Sequence, residues 1–245
     1  MYSAGLFAVT HSQAGDVLRL AGSGTLVQIN GAHYILTARH VWEKILKHSD
    51  QMGVTLREHY DHSHLVDVKA LTAIGPDPTI RWNEAGPDIV LLKIPDVYAG
   101  TIKAFKVFYS LSINEPSRPI LDHLETWFLM GVLGGTGTYT QNHASVEHWG
   151  PEVGMKGFHK EGLFDFLDVN ANVSFLPPPK SVGGVSGGGL WKVYLYEAPN
   201  ADGFESVEVL VGVAFWEFEL NRNERVVRCH GPESIEYVES LTEAG

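Results

Sequence analysis

The chain has 245 residues and a net charge of −11, with 44% hydrophobic and 19% charged side chains. The acidic balance argues against nucleic acid or an anionic membrane surface as the main partner, since phosphate binding needs concentrated positive charge. The hydrophobic fraction excludes a mainly disordered state, and the single cysteine, Cys229, excludes an internal disulfide and a cysteine-rich zinc module.

The opening segment, MYSAGLFAVTHSQAGDVLRLAGSG, has no basic start and no apolar run of signal-peptide length. Nowhere does the chain approach the roughly 20 apolar residues that span a bilayer. With no disulfide, this leads to the expectation of a cytoplasmic protein. The runs 24–29 (GTLVQI) and 32–37 (AHYILT) are rich in β-formers and joined by Asn30-Gly31, the dipeptide preferred in a type I′ hairpin turn. A short helix is predicted over Ala38–Lys47. The segment 58–67 (EHYDHSHLVD) admits two readings: a solvated loop between strands, or a metal site through His59, Asp61, His62 and His64. Further strand signals fall at Val66–Ala70, Asp88–Ile94, Trp127–Leu133, Phe164–Val169, Gly189–Tyr196 and Val207–Phe218.

Between them, the polar segment Ser110–Asp122 with Pro116 and Pro119 predicts a boundary dividing the chain into 1–112 and 113–245. The glycine run 131–138 lacks the Gly-Lys-Ser/Thr ending of a phosphate loop and reads as a β-turn. The tail Pro232–Glu243 repeats Ile235, Val238 and Leu241 every three residues, which predicts a terminal helix. Many short strands at such spacing suggest an all-β sandwich or barrel class.

Three segments hold residues suited to chemistry. His40 follows the second strand of the hairpin, Asp88 opens the apolar run DIVLLKI, and Ser186 lies in the glycine loop GGVSGGGLW. A serine hydroxyl needs a nearby base to take its proton; histidine suits that task, and a buried carboxylate can fix its tautomer and stabilise the imidazolium. Glycines flanking the serine allow a tight turn that aims N–H groups at a developing oxyanion. Asp67 and Asp96 are rivals to Asp88, but neither opens an Asp-Ile-x-Leu-Leu run.

GSGTLV…YILTARHV, then DIVLLKI, then GVSGGGLW, taken together over about residues 22–218, resemble the trypsin-like (chymotrypsin-fold) serine peptidases, in their disulfide-free bacterial form. The resemblance implies two six-stranded antiparallel β-barrels, the first (1–112) carrying His40 and Asp88, the second (113–245) carrying Ser186 and a C-terminal helix. It implies His40 as general base and acid, Asp88 as its orienting carboxylate, Ser186 as nucleophile, and the N–H groups of Gly184 and Ser186 as the oxyanion hole. The substrate would be a polypeptide, with no metal or organic cofactor.

Certain positions depart from the family pattern. Val185 replaces the aspartate that pairs with a new N-terminus in secreted zymogens, so control is expected from elsewhere, such as an activating protein partner in a bacterial stress or antiviral defence pathway. Lys180 stands six residues before Ser186, where trypsin-type members carry a pocket-floor aspartate. In LVGVAFWE (210–217), Trp216 matches the usual pocket-wall tryptophan, whereas Glu217 replaces a glycine. Lys180 would attract an acidic side chain, or Glu217 would cap the pocket and pair with Lys180. The alternative to an enzyme is a catalytically silent binding module on the same fold. An α/β-hydrolase is excluded by chain order, which there runs Ser, Asp, His.

Overall fold

The computed structural model describes residues 2–11, 16–56, 63–77, 79–80, 86–111, 124–134, 138–140, 143–170, 182–197, 203–221 and 224–243. The first half supplies β1 (Ser3–Thr10), β2 (Val17–Ile29), β3 (Ala32–Thr37), α1 (Arg39–His48), β4 (Gln51–Thr55), β5 (Ser63–Asp67), β6 (Thr72–Ile74), β7 (Val90–Ile94), α2 (Asp96–Lys103) and β8 (Tyr109–Ser110). The second supplies β9 (Leu124–Val132), β10 (Thr138–Thr140), β11 (His143–Ser145), β12 (His148–Trp149), β13 (Gly154–Glu161), β14 (Phe164–Asn170), β15 (Gly189–Glu197), β16 (Phe204–Asn221), β17 (Glu224–His230) and α3 (Pro232–Ser240).

The chain is mostly β. The first sheet is curled and runs β5-β4-β1-β2-β3-β7-β6 with antiparallel neighbours, while the two-residue β8 adds parallel to β2. The second runs β12-β9-β15-β16-β17-β14-β13, and β10 and β11 form a separate hairpin. The resemblance implied two six-stranded antiparallel β-barrels. Among the described residues the sheets have eight and seven strands, and no ladder joins β5 to β6 or β12 to β13. The expected boundary segment falls largely on 112–123, outside the described residues.

The hairpin of β2 and β3 turns at Asn30 (φ 48°) and Gly31 (φ 83°), both positive as a type I′ turn requires. α1 buries Val41, Trp42 and Ile45 on one face and ends in Lys47 and His48, which complement the negative end of its dipole. α3 buries Ile235 and Val238, starts with Pro232 in its first turn and stops at Ser240, three residues before the predicted end. Asp67 caps a single 3₁₀ turn (Val68–Ala70) through the Lys69 N–H, and Asp96 opens α2, so both rivals of Asp88 serve local structure.

The hydrophobic core passes between the halves. Phe166 and Phe215 pack in one cluster with Leu26, Ile35 and Val41, while Trp191, Leu210 and Val213 pack in another with Val27, Leu36 and Leu91. Burying such side chains stabilises each by roughly 1.5–3 kcal/mol, so this shared core anchors the second sheet against the first. Among the described residues, no helix is long and apolar enough to cross a membrane.

Candidate active site

His40 and Asp88 meet because of strand register. β3 ends at Thr37, paired with Val90 of the antiparallel β7; two residues after Thr37 and two before Val90, the first turn of α1 faces the segment that enters β7. The first N–H groups of a helix have no partner within it, and a carboxylate suits that positive end. Asp88 fills the position: one carboxylate oxygen accepts the His40 backbone N–H at 2.9 Å, and the other lies 2.6 Å from His40 Nδ1. A carboxylate oxygen at this distance accepts from a ring N–H, so the geometry suits a proton on Nδ1. Asp88 is wholly buried, while the His40 side chain keeps 24% exposure.

Ser186 comes from the second half and is lodged on the first. The carbonyl oxygens of residues 182–186 are all engaged. Val182 O accepts from Val185 N–H at 3.0 Å, Gly183 O from Gly134 N–H at 2.5 Å, and Gly184 O from Ser23 Oγ at 2.6 Å. Val185 O accepts from Gly188 N–H and Ser186 O from Ser23 N–H, both at 2.7 Å. Gly187 (φ 88°) lies so close to Ser23 that a methyl group there would overlap the Ser23 carbonyl and the Thr37 hydroxyl. A methyl group at Gly22 would meet both Val41, the neighbour of His40, and the Ser186 carbonyl. Ser186 is thus held where β3 passes into α1, beside the turn that carries His40.

The same bonds orient the amides. With Gly183 O directed at Gly134 N–H, the Gly184 N–H of that planar trans peptide points the opposite way. Among the described residues, no acceptor takes the N–H of Gly184 or of Ser186, while the loop carbonyls are all satisfied. Gly134 belongs to the run read from sequence as a β-turn; residues 135–137 of that run lie outside the described residues.

A cavity of about 40 Å³ adjoins Ser186, lined among others by Val182, Val185, Phe215, Trp216 and Glu217. The Glu217 carboxylate accepts from Arg225 at 2.6 Å and from the Val182 N–H at 3.2 Å. Glu217 thus pairs with Arg225, and the expected contact with Lys180 falls outside the described residues. Glu217 faces Val227 across the ladder, which puts Arg225 in the diagonal position two residues along the same face, within reach of a long side chain. His59, Asp61 and His62 also lie outside the described residues; His64 sits in β5 with its ring tilted against Tyr98. Among the described residues, no group of three or more His, Cys, Asp or Glu side chains is arranged to hold a metal ion.

Certain site residues were missed from sequence. Ser23 donates to Gly184 O and accepts from Val132 N–H, tying the serine loop to β2 and β9. Thr37 donates to the Ser23 carbonyl. His230, noted from sequence only as a neighbour of Cys229, accepts the Asp88 backbone N–H on Nε2 at 3.0 Å. Burial pushes its pKa down to about 3 and pushes the Cys229 thiol pKa up. Compared with protein-family models and with curated proteins, the chain matches none.

Proposed function

We propose that the chain is a serine endopeptidase of trypsin-like type, with two β-barrels meeting at the cleft that holds His40, Asp88 and Ser186. The supporting observation is that the buried Asp88 carboxylate fixes both the backbone and the ring of His40 where the Ser186 loop is lodged. In this reading His40 Nε2 takes the proton of Ser186 as Oγ bonds to the scissile carbonyl carbon. The oxyanion is held by the Gly184 and Ser186 N–H groups, a type of donor whose removal costs about 10²–10³ in rate. His40 then passes the proton to the leaving amine as the C–N bond breaks, and water attacks the acyl-enzyme with His40 as base.

The pocket supports a narrow substrate class. Among the described residues that line it, the cavity of about 40 Å³ holds one carboxylate, Glu217, paired with Arg225, and in this reading it takes a small, uncharged residue before the scissile bond. With Val185 at the zymogen position, a protein partner in this reading raises the basal activity of a site that is already formed. The same cavity favours a second reading, in which the chain binds peptides without cleaving them.

Incubating the protein with a random peptide mixture and sequencing the products by mass spectrometry separates the two. Cleavage after Gly, Ala or Ser that vanishes in Ser186→Ala supports the peptidase. Peptide retention without products, equal in wild type and Ser186→Ala, supports the binding module.

A further inference from the structure

We infer that His230 is a positioning residue of the site, a neutral acceptor that holds the Asp88 backbone so that its carboxylate meets His40; the inference rests on the peptidase reading above. Asp88 precedes β7, and its buried N–H finds its acceptor in the second half of the chain, at His230 Nε2, 3.0 Å away. Accepting at Nε2 places the ring proton on Nδ1. An acceptor here must be uncharged, because a second carboxylate beside Asp88 would repel it and compete for the His40 imidazolium. Imidazole meets that need, and complete burial keeps it neutral by penalising the imidazolium.

The ring is held on several sides. It stacks on Phe215 at 4.3 Å and 26° and packs against Phe166 at 5.2 Å and Phe164 at 5.9 Å. Gly86 lies against it so closely that a methyl group there would come within 2.9 Å of the ring, which brings the chain entering Asp88 flush onto the imidazole. Its backbone is paired with Phe166 of β14 and Val213 of β16. Behind it, Gly231 is the N-cap of α3, and the buried Asp165 carboxylate accepts the Ser234 N–H at 2.7 Å and the Glu233 N–H at 3.3 Å. The aspartate of the first half is thus located by a ring fixed on the second, and Phe215, which carries that ring, also lines the cavity beside Ser186.

The test uses the full chain, with His230→Leu removing the acceptor and His230→Gln restoring one through its side-chain oxygen. Two readouts are taken: the low-field proton resonance of His40 Nδ1–H, and the rate at which a fluorophosphonate phosphonylates Ser186. Folded His230→Leu is expected to lose the low-field resonance and to slow labelling by about 10- to 100-fold, with His230→Gln recovering most of both. A folded His230→Leu that keeps both, or a His230→Gln that falls as far as His230→Leu, overturns the inference. Nitrogen NMR of the wild-type His230 ring gives a check that needs no variant: the Nδ1–H tautomer is expected, and an Nε2–H tautomer overturns the inference. If wild type is never phosphonylated while the His40 resonance is present and lost in His230→Leu, the positioning role stands and the peptidase reading falls.

Discussion

His40 is held by one side-chain carboxylate, and Ser186 mostly by backbone. On the histidine side one buried carboxylate makes two bonds, to the His40 N–H and to its ring, so the arrangement depends on the chemical identity of a few groups. On the serine side the loop carbonyls are tied down one by one, and glycines allow approaches that no Cβ would permit. Substitutions on the first side should change chemistry with the fold intact, whereas substitutions on the second should act on space and disturb both.

The largest expected effect lies on the histidine side. Asp88→Asn keeps the shape but turns an N–H₂ group toward His40 Nδ1–H, which forces the wrong tautomer. The rate of phosphonylation should fall by about 10⁴-fold with little change in Tm by calorimetry. Unfolding of Asp88→Asn would break the comparison.

Next comes acid stability. The His230 pKa is lowered from 6.5 to about 3 by burial. As pH falls below about 6.5 the unfolded chain takes up this proton and the folded chain does not until about 3, so stability is whole above that window and is lost through it. Its full extent is about 5 kcal/mol. Urea unfolding between pH 7 and 4 should show a steeper loss in wild type than in His230→Gln; parallel curves would count against a buried neutral imidazole.

Gly187→Ala sharpens the contrast from the serine side. Its methyl group meets the Ser23 carbonyl and the Thr37 hydroxyl at a positive φ, and a loss of about 3–4 kcal/mol in unfolding free energy is expected, together with lost labelling. Wild-type stability in this variant would mean that the loop is free to move. Smallest is Ser23→Ala, which leaves Gly184 O and Val132 N–H without a partner. It should destabilise by about 1–3 kcal/mol and slow labelling, read by the same two assays.

The parts legible from sequence are those set by neighbours in the chain. The Asn30-Gly31 turn, the strand β3 and the helix after it, and the apolar stripe of α3 each carry a local pattern that the structure follows. β1 was missed because, lying between β4 and β2, it is buried on both faces and shows no alternation of apolar and polar residues. α2 was missed because eight residues with Ala99 and Ile102 buried make too short a stripe to recognise. The site divides in the same way. His40, Asp88 and Ser186 each sit in a recognisable local motif. The bond from Asp88 to His230 spans 142 residues, and no local pattern announces it. At Glu217 the strand ladder supplies a partner, Arg225, that no local pattern announces.

The role proposed for His40 and Asp88 is to make Ser186 a nucleophile. The direct measurement is the stoichiometry and site of fluorophosphonate labelling on the full chain, mapped by mass spectrometry in wild type, His40→Ala and Ser186→Ala. One adduct per chain is expected, on Ser186, lost in Ser186→Ala and strongly slowed in His40→Ala. An adduct on another residue, or labelling of Ser186 at the same rate without His40, would contradict that role.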